Sequence, residues 1–200
     1  MKPFSCAAAL FAIFTLVFPL TSHAATLIVD GASGELLGAE DVDVGGVLYD
    51  VDFLDGTCIA LFDGCDASDD FAFTTQAAAE AAATALQSQV FIDGPDGNFD
   101  AMPTLTAGCE APFGCIVHTP FAVSIGNNIV NTIGYVNIAA PGGFQSANQL
   151  NRDLDLAGVA SDVYASWGLS EIAPVPLPAT GWLILSGLAG LFFAKRRRAA

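Results

Sequence analysis

VLYDVDFLDGTCIALF, residues 47–62, is the stretch that decides the fold class of this chain. Residues 47–53 alternate apolar and polar side chains, which is the period of a β-strand with one buried face. Asp55 and Gly56 then supply a turn, and residues 57–62 form a second short apolar run. This pattern predicts a β-hairpin over residues 47–62 and therefore a mainly β domain.

The other segments of residues 25–172, called the body below, agree with that class. Residues 26–30, 121–125, 129–138 and 163–172 are further predicted strands, because they are short apolar runs bounded by Gly, Asp or Asn. One helix is predicted over residues 75–89, which are alanine-rich and contain neither Gly nor Pro. Its apolar stripe consists of Ala78, Ala82, Leu86 and Val90. We expect one α+β, mainly β domain over residues 25–172, an antiparallel sheet or sandwich with the helix packed against it.

The N-terminus has the pattern of a secretory signal peptide. Lys2 provides a positive charge, residues 7–20 are apolar, and Ser22 and Ala24 are small residues at the positions that a signal peptidase reads. We expect residues 1–24 to be removed after Ala24, which predicts export.

The C-terminal residues 173–200 have the pattern of a membrane-spanning tail. Residues 181–194 are apolar and uncharged, and Lys195, Arg196, Arg197 and Arg198 follow. A helix of these 14 residues rises about 21 Å, less than the roughly 30 Å hydrocarbon core, so a transmembrane helix would also need residues 173–180. The basic cluster is expected to stay cytoplasmic.

A short motif precedes this apolar segment: Val175, Pro176, Leu177, Pro178 and Ala179. With the glycine-broken helix SGLAGL at 186–191 and the basic end, it resembles the VPLPA-type variant of the PEP-CTERM sorting signals on exported proteins of Gram-negative bacteria. The resemblance implies cleavage by an exosortase, an integral-membrane cysteine protease, and association with exopolysaccharide. It also implies a membrane-tethered precursor that ends at the cell surface or in the extracellular matrix.

Two other interpretations of the tail remain open. Residues 177–181, LPATG, also satisfy the LPxTG motif of sortase-anchored surface proteins in Gram-positive walls. The plainest alternative is a C-terminal membrane anchor that no enzyme cleaves.

The charge of the body limits its partners. All 21 acidic residues lie between Asp30 and Glu171, where Arg152 is the only Lys or Arg, so the net charge of that segment is −20. Such a domain repels phosphate backbones and anionic head groups, which argues against nucleic-acid binding and peripheral membrane binding. Cations are its natural counterions, and most of the acids are expected to serve solubility.

Four cysteines lie in the body, in two close pairs: Cys58 with Cys65, and Cys109 with Cys115. An even number in an exported domain predicts disulfides, and pairing within each close pair is the simplest of the three connectivities. Zinc is the alternative, weakened by gaps wider than zinc knuckles use and by the single histidine available.

Catalytic groups are few. His118 is the only histidine left after signal removal, the body has no lysine, and no nucleotide or nucleophile-elbow motif is present. A catalytic triad would have to be built on His118, which we expect instead to be an ordinary strand-end histidine. We therefore predict a protein without catalytic activity.

Two acidic clusters could bind cations. Asp96, Asn98 and Asp100 offer oxygens at alternate positions, as in a loop that wraps Ca²⁺, although Ala101 and Ala107 stand where an EF-hand needs Gly and Glu. An ordinary turn is the alternative. The second cluster is expected to cap the helix after Phe73 and comprises Asp63, Asp66, Asp69 and Asp70.

These observations predict a structural or adhesive exported protein of the polysaccharide layer, processed at its C-terminus. One alternative is a secreted carbohydrate-active enzyme, which needs a cleft with two facing carboxylates. The other is a calcium-stabilised glycan-binding module, which needs aromatic side chains exposed on one sheet face. The candidate aromatic residues are Tyr49, Tyr135, Tyr164 and Trp167.

Overall fold

The protein is represented by a computed structural model that describes residues 24–139 and 142–171. Within these residues one large sheet contains seven strands: β1 (Thr26–Val29), β2 (Leu36–Val44), β3 (Val47–Leu54), β6 (Gly114–Ser124), β7 (Ile129–Ile138), β8 (Phe144–Asn151) and β9 (Asp162–Leu169). A separate hairpin consists of β4 (Asp93–Gly94) and β5 (Gly97–Asn98). The helices are the single turn α1 (Cys58–Leu61) and the longer α2 (Gln76–Ala85).

The strand order is β1-β2-β3-β9-β6-β7-β8. All neighbours are antiparallel except β9 and β6, which run parallel. The prediction of a mainly β domain with one alanine-rich helix is confirmed, but the expected antiparallel sheet or sandwich is corrected to one mixed sheet. The difference arises because the last strand, β9, inserts between two strands that are distant from it in the chain, and local sequence patterns carry no signal for such pairing.

The predicted hairpin over residues 47–62 is wrong. β3 forms its hairpin with the preceding β2, through Gly45 and Gly46, which both adopt positive φ (66° and 90°) as a tight hairpin turn requires. The segment after β3 turns into α1 instead of a strand. Thr57 caps that turn, since its hydroxyl accepts the backbone N–H of Ala60 at 3.2 Å.

Helix α2 forms where the sequence predicts it. Thr75 caps its start by accepting the N–H of Ala78 (3.3 Å), and a π-helical turn, Leu86–Val90, extends its end. Its buried side chains are Ala79, Ala82, Ala83 and Ala85, followed by Leu86 and Val90. Ala78, from the predicted stripe, is only partly buried against the same core. The small side chains allow the helix to lie close to β2, β6 and β7.

The sheet has a buried cluster on each face. The larger core lies under α2 and includes Val51, Val117 and Ile133. The smaller one lies on the opposite face under α1, and consists of Cys58, Phe62, Cys65, Phe71, Val130, Leu156 and Tyr164. In the part of the chain that the structure describes, no helix is long and apolar enough to cross a membrane.

Candidate functional site

A connected set of polar side chains is buried on the sheet face opposite α2. His118 lies on β6, and the parallel pairing with β9 brings Asp162 beside it. The imidazole Nε2 is 2.8 Å from Asp162 Oδ1 and Nδ1 is 3.0 Å from Thr132 Oγ1. The Ser161 hydroxyl donates to the other carboxylate oxygen of Asp162 at 2.6 Å. Four polar side chains, three on β6, β7 and β9 and one on Ser161 just before β9, thus form one network.

Asp162 is held in its ionised form by this network. Burial opposes ionisation, but the hydrogen bonds from His118 and Ser161, together with the charge of His118, outweigh it and lower the pKa of Asp162 below its usual value. The side chain of His118 is only 1% exposed and that of Asp162 is 16% exposed. Because both side chains are largely buried, the charge of Asp162 and the hydrogen bonds of the network affect each other strongly.

The order hydroxyl, imidazole, carboxylate is that of a catalytic triad. A nucleophile must reach a substrate, however, and Thr132 is completely buried. Neither of the two cavities described below is lined by Thr132 or His118. In this arrangement the network ties three strands together. It also corrects the expectation of a strand-end histidine, since His118 lies inside β6.

A small cavity of about 170 Å³ opens between the α1 segment and β9. Its lining combines aromatic rings, Phe71, Phe73 and Trp167, with the carboxylates of Asp63 and Asp70. The Trp167 and Phe73 rings meet edge to face at 5.5 Å, and the indole N–H of Trp167 donates to Thr119 Oγ1 at 3.2 Å. These contacts fix the orientation of the indole.

The four aromatic residues considered for glycan binding fall into two pairs that differ in burial. Tyr49 and Trp167 are partly buried and belong to one cluster with Phe73. Tyr135 and Tyr164 are fully buried, so their rings cannot stack on a sugar. Burial raises the pKa of each to about 12, with further contributions from Asp100 for Tyr135 and from Asp162 for Tyr164. Neither hydroxyl has a hydrogen-bond partner among the described residues.

A second cavity of about 260 Å³ is acidic and lies near Cys109. Glu35, Asp55 and Glu110 line it. Burial, and then the charges of Asp155 and Glu110, raise the pKa of Asp55. Within residues 24–139 and 142–171, no three His, Cys, Asp or Glu side chains are grouped closely enough to hold a metal ion.

The predicted calcium ligands lie around the β4–β5 hairpin. Asp96 is in its turn, Asn98 is in β5 opposite Asp93, and Asp100 follows. Asp93, which sequence reasoning left out of the ligand set, closes this loop because its Oδ1 accepts the backbone N–H groups of Asp100 (3.0 Å) and Ala101 (3.1 Å). Burial, and then the charge of Asp93, raise the pKa of Asp100. Calcium binding here stays a prediction.

Both predicted disulfides are present. Cys58 is bonded to Cys65 and Cys109 to Cys115, each with a Cα–Cα separation of 5.7 Å, which is typical of disulfides. The first closes the α1 segment, and the second ties a loop to the start of β6.

The acidic cluster near the first bridge has a different role from the expected one. Asp70 Oδ2 accepts the backbone N–H groups of Asp66 (2.8 Å) and Ala67 (3.0 Å), so it stabilises the 3-10 turn Ser68–Asp70. The start of α2 is capped by Thr75 instead. Asp63 adopts a positive φ of 38° at the closed end of the bridged loop.

The predicted sorting motif lies outside the described residues, as do the apolar segment after it and residues 1–23. Comparison with known proteins gave no match: no family model fits the chain, and no curated protein or solved structure is significantly similar to it. The class that the fold defines is a mainly β domain with one mixed sheet, one alanine-rich helix and two short-loop disulfides.

Proposed function

We propose that this chain is an exported protein of a Gram-negative bacterium, processed at its C-terminus, with a structural or adhesive role in an exopolysaccharide-associated surface layer or matrix. The observation that carries the proposal is the pair of disulfides, Cys58–Cys65 and Cys109–Cys115. Disulfides of this kind persist in oxidising compartments such as the periplasm and the cell exterior.

The two termini of the chain carry the segments by which the protein would be exported and processed. A signal peptidase acts after Ala24, and an exosortase-like membrane protease acts at residues 175–179, near the apolar tail. The 20 net negative charges of the body keep the released domain soluble and away from nucleic acid and anionic lipid. Neutral polysaccharide is the partner that such a surface does not repel.

The test is the intact mass of protein recovered from the surface of cells that express the whole chain. We expect a species that begins at Ala25, ends within residues 175–181 and carries two disulfides. A species that still contains Arg198 would reduce the tail to a simple anchor. A cut between Thr180 and Gly181 with covalent attachment to peptidoglycan would instead establish the sortase interpretation.

A second candidate function, glycan binding, is favoured by one specific observation. The 170 Å³ cavity places the indole of Trp167 near the carboxylates of Asp63 and Asp70, and aromatic faces with nearby hydrogen-bond acceptors are the groups that bind a sugar ring. Tryptophan fluorescence during titration with neutral oligosaccharides tests it. Saturable quenching that weakens in Asp63→Asn while the melting curve stays unchanged would favour binding, and an unchanged spectrum would remove this candidate.

A further inference from the structure

β8 is an edge strand with unusually few features that prevent pairing. It is the last strand of the large sheet and pairs with β7 in one unbroken register from Ile129–Asn151 to Val136–Phe144. Its sequence, FQSANQLN, contains no charge and no proline. No residue of β8 is buried, and the ring of Phe144 is 55% exposed. Edge strands of this kind are templates for pairing with another strand.

The opposite edge of the sheet is protected. β1 has only four residues, and its register with β2 shifts between Ile28 and Val29. Asp30 follows it, and Glu40 on β2 lies opposite Thr26. Short length, a bulge and charge are the usual means by which proteins block an edge. The β1 edge therefore combines all three, whereas β8 is eight residues long, pairs in one unbroken register and has no charge before Arg152 and Asp153.

The charge distribution also favours contact at β8. Between Glu110 and Asp153 the chain contains no acidic residue, although the body as a whole carries a net charge of −20. This segment, whose only charged residue is Arg152, includes all of β6, β7 and β8. Two copies that approach through any acidic surface repel each other, whereas two β8 edges meet without that repulsion.

We propose that β8 pairs antiparallel with β8 of a second copy of this chain, which joins two seven-stranded sheets into one continuous sheet. The two-fold axis is then perpendicular to the sheet, so both α2 helices lie on the same face. Antiparallel pairing also places Asp153, just after β8, at opposite ends of the contact in the two copies. The backbone groups of β8 carry the pairing, because its Asn and Gln side chains already make hydrogen bonds within one copy. This inference goes beyond the proposed function and does not depend on it.

The test compares the whole chain, purified in mild detergent, with two edge variants. Sedimentation velocity of the unaltered protein should show a dimer, and Ala147→Glu with Gln149→Glu should raise the dissociation constant at least tenfold, because like charges then face each other across the edge. Thr26→Lys, on the protected edge opposite Glu40, is the control and should leave the dimer intact. Melting curves establish that the variants are folded.

Cross-linking keeps the proposal testable if the glutamate variant fails to fold. In a Cys6→Ser background, Ala147→Cys lies near the two-fold axis and should form an intermolecular disulfide on mild oxidation, whereas Ala157→Cys, exposed in another turn, should not. A monomer at all concentrations, a dimer that the glutamates leave unchanged, or equal cross-linking of both cysteine variants would each overturn the proposal. The last two results would place the contact elsewhere, for example in the C-terminal tail.

Discussion

At the residue scale, Gly38 occupies a position on β2 that has no room for a side chain. A Cβ atom added there would lie 2.1 Å from the carbonyl oxygen of Val51 on β3. Gly38 lies beside an irregularity in the β2–β3 register between Ala39 and Val42. Asp41, inside it, has a positive φ of 58° and its N–H donates to Asp50 Oδ1 at 3.0 Å. The strand therefore needs a residue without a side chain next to its bulge.

Gly38→Ala is therefore expected to destabilise the protein by about 3 kcal/mol, the upper range for overpacking, because a backbone atom cannot move aside as a side chain can. Chemical denaturation measures the free energy of unfolding. Gly168→Ala is the matched control, since it is also a strand glycine but has no atom within 4 Å of its added Cβ. The control should change stability by no more than about 0.5 kcal/mol. Equal effects of the two substitutions would contradict this account of Gly38.

The network around His118 predicts a pH effect. Asp162→Asn should lower the free energy of unfolding by about 1–3 kcal/mol above pH 5, because a hydrogen bond to a charged group is replaced by a neutral one. The folded pKa of Asp162 lies below the usual value of an aspartate side chain. The stability that its ionisation contributes is therefore present above about pH 4 and is lost as the pH falls through the folded pKa.

The stability curves of the unaltered protein and Asp162→Asn should accordingly converge as the pH falls below about 4. Denaturation at several pH values checks this convergence. Asp69→Asn, which changes an exposed carboxylate, is the control and should not alter the curve. A constant gap between the two curves down to pH 2 would show that the charge of Asp162 is unimportant.

At the scale of elements, the first disulfide organises the small cluster opposite α2. Cys58 and Cys65 are both fully buried and pack with Phe62, Phe71 and Tyr164. The guanidinium of Arg152, the only Lys or Arg in the body, donates to the carbonyl of Gly64 at 2.9 Å. The bridge and this hydrogen bond together hold the α1 segment on the sheet.

Removing this bridge with the double substitution Cys58→Ala, Cys65→Ala should reduce stability by about 2–3 kcal/mol, the chain-entropy value for so short a loop. Thermal melts with and without reductant measure the loss. The effect of reductant on the variant should be smaller than on the unaltered protein, because only the Cys109–Cys115 bridge remains. No difference between the two proteins under oxidising conditions would mean that packing alone holds the segment.

Some elements of the fold could be predicted from the sequence and others could not. Helix α2 was predictable because its cap, Thr75, and its alanine-rich composition are local. β2 is not predictable because Gly38 and its acidic residues interrupt the apolar pattern. β8 is not predictable because most of its residues are Asn, Gln or Ser, which have low strand propensity. The disulfides were predictable from close spacing. The partnership of His118 with Asp162 was not, because it depends on parallel pairing across 44 residues.

At the scale of the whole molecule, the main feature is the large net negative charge of the body. The body has 20 more acidic than basic residues, and the raised pKa values of Asp55 and Asp100 reflect burial first and neighbouring carboxylates second. Both groups therefore reduce stability as the pH rises through their folded pKa values. A cation that binds only the folded state offsets this repulsion by mass action.

Calcium should raise the melting temperature if Asp96, Asn98 and Asp100 form a site. At a hundred times the dissociation constant the gain is about 2.7 kcal/mol, or about 5 °C or more for a domain of this size. Asp96→Ala with Asp100→Ala should abolish the calcium-specific part, while Asp69→Ala should not. Melting curves identical in Ca²⁺, Mg²⁺ and EDTA at constant ionic strength would remove the site.

The position of β9 has a consequence for how the chain matures. This strand is the last one described, yet it occupies the centre of the sheet between β3 and β6. Until residue 169 has been synthesised, β1–β3 and β6–β8 are two separate half-sheets, each with an inner edge open to wrong partners. Folding is thus a late event that waits for nearly the whole body. A chain exported as proposed above would therefore enter its channel before the sheet can close.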